Sequence, residues 1–486
     1  MALHHLPELP RLALTLVTCA WIGLAGCASS SGINPVATTI SGADLGLSTG
    51  AAAAADPALA ADWWRAFGDP QLDALMARAL AGQPGLKVAQ ARLARAEAAV
   101  ASVHASEGVQ INGTGDLTRQ RFSATSIYPP PLGGSVRTLA SAQVGMAWEF
   151  DFFGRNRAAL EAAVGASRAA EAEFQAARLV LAANVARQWV RLGQLGEQRV
   201  VAVRALAQRQ EVLDLIAQRV QAGLDTHVEL RQGEGALPEA RLQIEQLDEQ
   251  IMLARHALAA LSTQAPGALD GLNVTLSPTA LAALPGALPA DLLARRADIS
   301  AARWRIEAAG SDIRSAKAQF FPNINLSAFA GLASIGLDRL IQVGSEQFGA
   351  GPAIRLPIFD AGRLRANLRL KTADLDAAVE SYNGAVLEAV REAADAIGSL
   401  RAVERQQREQ ALALDKAESA WDLATQRYKA GLSTYLVVLN TEAAVLNQRR
   451  QLTELKARAL DARITLIRAL GGGYSADPAL ALSATP

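Results

Sequence analysis

QRVQAGLDT, residues Gln218 to Thr226, returns as QRYKAGLST at Gln426 to Thr434, identical at six of nine positions and 208 residues further on. Each copy interrupts a long run that is rich in Ala and studded with charge, and the run then resumes. Ala-Gly-Leu followed by Thr reads as a helix stop and restart. Gly223 and Gly431 can take the left-handed conformation that ends a helix, and Thr226 and Thr434 can accept the first free N–H groups of the returning one. A loop this short makes the two helices antiparallel neighbours. One copy alone is an ordinary helical hairpin. Two copies in equivalent places mean a duplicated architecture with two equivalent tips.

The duplication reaches beyond the tips. Gly154-Arg155-Asn156-Arg157-Ala158 answers to Gly362-Arg363-Leu364-Arg365-Ala366 at the same spacing of 208, and Leu86-Lys87-Val88-Ala89 aligns with Ile299-Ser300-Ala301-Ala302 at 213. A repeat of this length is no solenoid unit. It reads as duplication of one half of the chain.

Composition favours helices packed through small side chains. Of the 486 residues 50% are hydrophobic but only 5% are aromatic, and Ala dominates, which suits long helices in close contact. Forty-seven basic residues balance 47 acidic ones, so charge offers no case for nucleic acid as a partner. Both cysteines fall in a stretch with the anatomy of a secretory signal: Arg11, an apolar run from Leu12 to Leu24 too short for a permanent span, then Leu24-Ala25-Gly26-Cys27. Leu-Ala-Gly-Cys resembles the bacterial lipobox. That implies cleavage before Cys27 and lipidation of Cys27, palmitate included. With Ala28 next rather than Asp, it also implies the outer membrane as destination. A plain signal peptide with an incidental Cys is the alternative. Once Cys19 is cut away no free thiol or disulfide is expected.

In order, the chain divides into a signal peptide (1–26), a lipidated flexible tether rich in Ser, Gly, Thr and Ala (27–62), a first repeat (63–265), a Pro/Gly/Leu-rich connector (266–290), a second repeat (291–474) and a tail (475–486). The first repeat opens with helices expected at about 71–80 and 86–104. The period then changes to two: Ile111, Gly113 and Leu117 alternate with Asn112, Thr114 and Asp116, which predicts a strand over about 109–119. Further alternating strands are expected at about 139–149, 323–332 and 348–358, the last carrying Pro357 near its end. After each strand pair comes a proline-free helix, about 155–221 and 363–429, each roughly 100 Å long. The return helices are expected over 227–261 and 435–470, and Gly233, Gly235 and Pro238 predict a kink or break in the first.

Strands of about ten residues with one apolar and one polar face match a tilted transmembrane β-strand. A soluble antiparallel sheet alternates as well, but it would need helices over its apolar face, and the neighbouring helices are too long and too polar to lie flat there. Four strands cannot close a barrel, and an open edge in lipid leaves backbone groups unsatisfied. Transmembrane strands therefore require the chain to oligomerise into a shared barrel with a water-filled lumen. The long helices would continue that tube and end in the two Ala-Gly-Leu hairpins.

The motifs Trp148-Glu149-Phe150-Asp151-Phe152-Phe153-Gly154-Arg155, Leu356-Pro357-Ile358-Phe359-Asp360-Ala361-Gly362-Arg363, Arg427-Tyr428-Lys429-Ala430-Gly431 and Leu470-Gly471-Gly472-Gly473-Tyr474 resemble those of the outer membrane factors of tripartite efflux pumps. Within the TolC superfamily the similarity is to the NodT/OprM-like lipoproteins, from Trp63 to Tyr474. The resemblance implies an internally duplicated α+β membrane protein: a homotrimer whose twelve-stranded β-barrel is continued by a periplasmic α-helical barrel, lipid-anchored in the outer membrane. It implies passive export of drugs or other small molecules. The partners would be a periplasmic adaptor (membrane fusion protein) and an inner-membrane RND-type transporter. The adaptor would meet the tips, here Arg219, Ala222, Gly223, Leu224, Arg427, Ala430, Gly431 and Leu432. The resemblance also puts a gate just past the second tip, where relatives often carry Tyr-Leu-x-x-Leu-Asp. This chain reads Tyr435-Leu436-Val437-Val438-Leu439-Asn440, so Leu436 matches and Asn440 replaces the carboxylate. Their equivalents in the first repeat, Val228 and Gln232, are uncharged too. A ring of Asp would attract cations; Asn and Gln would not.

An enzyme is not indicated. His104, His227 and His256 sit far apart with no metal-ligand spacing, and Gly471-Gly472-Gly473 lacks the Lys of a phosphate loop. No cofactor or metal is expected. A protein-secretion channel of type I, and a periplasmic coiled-coil scaffold without a pore, stay as alternatives; the scaffold leaves the four alternating strands unexplained. If the lipobox is used, Cys27→Ser abolishes incorporation of labelled fatty acid. Acyl chains still found on the N-terminus of that variant would overturn the anchor.

Overall fold

The computed structural model describes residues 29–41, 43–45, 60–276 and 295–474. Cys27, the signal segment and the tail lie outside the described residues, as do much of the tether and of the connector. The elements are α1 (Pro70–Gly82), α2 (Pro84–Glu107), β1 (Gln110–Arg121), β2 (Val136–Phe150), α3 (Arg155–Gln221), α4 (His227–Leu261), α5 (Ala297–Ala318), β3 (Asn323–Ile335), β4 (Glu346–Arg355), α6 (Arg363–Lys429) and α7 (Tyr435–Ala469). They form two compact units. Of the described residues, one takes those within 29–39, Leu93–Ala170 and Ala302–Tyr382; the other takes those within 40–92, 171–301 and 383–474.

The first unit holds one antiparallel sheet in the order β1-β2-β3-β4. The β2–β3 pairing joins the two repeats, with Val144 opposite Ala330 and Trp148 opposite Leu326. Because pairing partners share a face, the alternation in each strand adds up across the sheet. One face carries Ile111, Leu117, Val144, Trp148, Phe348 and Ile354, each at least 36% exposed. The other carries Asn112, Thr114, Gln143, Ser327 and Gln347. Strand β4 runs over Glu346–Arg355, starting and stopping earlier than the sequence suggests, and carries Pro352 inside it, as an outer strand can.

In the same unit the expected tether is docked where it is described. Ile33 is buried with Ile313, Ala316 and Leu368, and Val36 N and Ala37 N both donate to Asp376 Oδ1 at 2.9 Å. An apolar side chain and a carboxylate accepting two N–H groups hold a stretch whose composition suggests only flexibility.

The second unit is helical. Helix α1 begins at Pro70, which needs no N–H there, with Asp69 Oδ1 accepting from Gln71 N at 2.9 Å. It buries Leu72, Leu75, Met76 and Ala79, one stripe at helical spacing, in a core with Val185, Leu258 and Ile464. The break that Gly233, Gly235 and Pro238 suggest in α4 does not occur: the helix runs through Pro238. Gly233 serves a close approach instead. A β-carbon there would stand 3.0 Å from Leu213 and 3.1 Å from Ile216 of α3. In the first unit Gly165 of α3 does the same against α5, where a β-carbon would meet the Ala308 β-carbon at 3.1 Å and its backbone at 3.2 Å. Gly165→Val therefore destabilises by about 1–3 kcal/mol and lowers the thermal midpoint of the detergent-solubilised protein. Gly235→Ala, where a β-carbon meets nothing within 4 Å, does not. Equal midpoints for the two variants would contradict this packing.

Candidate functional site

The two helical hairpins end by the same backbone device. Gly223 and Gly431 take φ of 72° and 73°. Leu224 N donates to Arg219 O, and Leu432 N to Arg427 O, each at 2.8 Å, closing the helix on a left-handed residue. Capping of the return helices differs. Thr226 Oγ1 accepts from Val228 N at 3.1 Å while the Glu229 carboxylate accepts from Thr226 N at 2.9 Å, a capping box. The side chain of Thr434 caps nothing, against the sequence expectation. Val437 stands where Glu229 stands in the first repeat, so no box forms.

The two tips hold each other. Ile216, Tyr428, Tyr435 and Val438 form a buried cluster drawn from both hairpins. At its edge Arg219 Nε and Nη2 donate to the two Asp225 oxygens at 2.9 and 3.2 Å, and the Tyr428 hydroxyl donates to Asp225 Oδ2. Arg219 Nη1 also donates to Tyr428 O at 3.1 Å, with the guanidinium 4.6 Å over the Tyr428 ring. The hydrogen bonds from Arg219 hold the Asp225 carboxyl below its usual range, and burial pushes the Tyr428 hydroxyl up. Further along, Arg209 ties three helices: its Nε donates to Glu442 Oε1 of α7 at 3.1 Å and its Nη1 to Ala236 O of α4 at 3.1 Å. Burial raises the Glu442 carboxyl, against the opposing pull of Arg209.

Of the tip residues named from sequence, Ala222, Gly223, Leu224, Arg427, Ala430, Gly431 and Leu432 are exposed, Leu224 at 65% and Leu432 at 69%. Arg219 is the correction. Its side chain is only 12% exposed because Asp225, six residues on, claims the guanidinium. Arg427, its counterpart, stays exposed since Ser433 stands where Asp225 does. The residues expected at the gate are all exposed: Leu436 at 55% and Val228 at 62%, with Asn440 and Gln232 one turn further on. Tyr435, Val438 and Glu442 of the same α7 are buried. Sequence reasoning missed Asp225 and Tyr428. Their only signal is that the two tips differ there, Val220 answering to Tyr428 and Ser433 to Asp225.

A match to the outer membrane efflux protein family covers residues 75–263 and 288–472. The chain is 38% identical over 363 residues to the fusaric acid resistance protein FusA of Burkholderia cepacia, covering 74% of this chain and 68% of that one. It is 32% identical over 430 residues to the multidrug resistance outer membrane protein MdtP of Escherichia coli K12, covering 86% and 87%. The crystal structure of the outer membrane protein VceC from Vibrio cholerae superposes with a TM-score of 0.79 at 35% identity, over 86% of this chain and all of that one. The fold is thus the α+β, TolC-like one.

Since Asp225 is held below the ordinary carboxylate value of 3.8, its contribution to tip stability is fully present above that pH and is lost only as pH falls through the lower folded value. Asp225→Asn removes the charge at neutral pH. Charged hydrogen bonds of this kind contribute about 1.5–3 kcal/mol, so amide exchange at residues 219–228 and 426–437 should rise at least about tenfold. The cores around Val185 and Leu258 should keep their protection. Unchanged exchange at both tips would show that the network does not fasten them.

Proposed function

The chain belongs to the outer membrane efflux protein family, and from that premise we propose that three copies form the outer-membrane conduit of a tripartite efflux system. Each copy supplies β1 to β4 to a twelve-stranded barrel, and a lipidated Cys27 adds an anchor. The observation that carries this reading is the sheet of the first unit, with its exposed apolar face and with β1 and β4 as outer strands. Lipid satisfies the face and neighbouring copies satisfy the edges. Phe152, Phe153, Phe321 and Phe359, exposed at the junctions between strands and helices, supply aromatic side chains of the kind that line a membrane interface. The barrel passes its cargo passively. Energy comes from an RND-type inner-membrane transporter, joined through a periplasmic adaptor that docks on the exposed Ala-Gly-Leu tips. The relatives named for drug and fusaric acid resistance support small organic molecules as cargo.

In this reading Leu436 from three copies closes the periplasmic end by apolar packing, and the narrow point resists ion flow by dewetting rather than by fixed charge. Gly431→Asp or Leu432→Arg abolishes export while trimers still form; normal drug resistance in cells carrying both changes would count against docking through the tips. Leu436→Ala raises single-channel conductance in planar bilayers. Asn440→Asp makes the channel sensitive to block by divalent cations, to which wild type is nearly indifferent. No change in conductance for Leu436→Ala, or strong divalent block of wild type, places the constriction elsewhere.

A further inference from the structure

The polar face of the sheet is not uniformly polar: Phe329 stands on it beside Gly145, and two further apolar side chains sit in a hollow. A concave site of about 560 Å³ opens there, lined among others by Asp116, Thr118, Gln120, Leu139, Ser141 and Ile335. The register explains the composition. Asp116 pairs with Ser141, and two residues along the ladder Thr118 pairs with Leu139 and Leu139 with Ile335. Paired residues share a face, so a carboxylate row lies beside an apolar row on the same wall, with hydroxyl and amide groups around them.

Asp116 is the one carboxylate of this face left without a partner among the described residues. Glu149, the other, receives Arg155 Nη2 at 2.6 Å. The nearest arginine on the face, Arg137, pairs across the ladder with Gln120, four residues from Asp116 in β1, and turns its Nε to Ser135 Oγ at 3.2 Å. The hollow therefore combines one uncompensated negative charge, a small apolar surface and neutral hydrogen-bonding groups. Its volume lies within the range of small-molecule sites, about 300–1,000 Å³.

We infer that this hollow is a binding station for amphipathic organic monocations. The cationic group sits at Asp116 and the apolar body lies over Leu139 and Ile335. The inference rests on the reading of this face as the wall of the conduit. A carboxylate gives the preference for cations over anions, while the apolar pair separates a bulky organic cation from a small hydrated one.

The test uses the reconstituted full-length protein in planar bilayers, with tetraphenylphosphonium as the cation and tetraphenylborate as an anion of the same size. Tetraphenylphosphonium should reduce the current of wild type. The block should weaken about tenfold in Asp116→Asn, the loss of one charged contact, and largely survive in Asp116→Glu. Leu139→Ser combined with Ile335→Ser should weaken it as well while leaving block by tetramethylammonium unchanged. Equal block of wild type and Asp116→Asn, or equal block by tetraphenylborate, would overturn the site. Calorimetric titration of the amphipol-held protein with tetraphenylphosphonium decides the site without current. Binding lost in Asp116→Asn supports it and equal binding overturns it. Wild type that binds the cation while Leu436→Ala conducts nothing would instead overturn the conduit.

Discussion

An amide N–H or carbonyl oxygen at a sheet edge must find a partner, and in hydrocarbon no water can supply one. That requirement governs the account of this chain. Its four strands pair in sequence order and leave β1 and β4 as the outer members, while one face of the sheet exposes aliphatic and aromatic side chains. A soluble protein would bury such a face under helices and blunt such edges. In the proposed assembly, both demands are met by neighbours: lipid against the face, a second copy against each edge. Oligomerisation is then a condition of the fold in the membrane rather than an addition to it.

Gene-scale duplication gave the chain two similar hairpins, and chemistry gathers where the copies have diverged. Both tips close on a glycine at nearly the same φ. Only the first has Glu229 for a capping box and Asp225 for a charge network, and only the second has Tyr428 to receive Arg219 and to donate to Asp225. The asymmetric residues bind the tips together, whereas the shared Ala-Gly-Leu stays exposed. A surface common to both hairpins suits a partner that meets each in turn.

The backbone plan was legible because its signals are local. Glycine and threonine at the tips, alternation in the strands and unbroken Ala-rich runs each act within a few residues, and the helices of the structure begin and end at those signals. Contacts across the repeat were not legible. Nothing near Arg219 in the sequence says that its guanidinium stacks on Tyr428, more than two hundred residues away. Gly233 and Pro238 read as breakers because propensity is local, whereas Leu213 and Ile216 of a facing helix set the true role of Gly233. Composition likewise made residues 27–62 a loose tether, since neither the pocket for Ile33 nor the carboxylate of Asp376 can be seen from that segment.

The central claim is that β1 of one copy lies beside β4 of the next. Cysteines introduced at Thr114 in β1 and at Gly351 in β4, both on the polar face, should be joined between chains by a short bismaleimide in outer-membrane preparations. The account predicts covalent dimers and trimers and nothing larger, and only when both cysteines are present in each chain. Chains that stay monomeric under cross-linking, or a ladder that runs on beyond three, would contradict it.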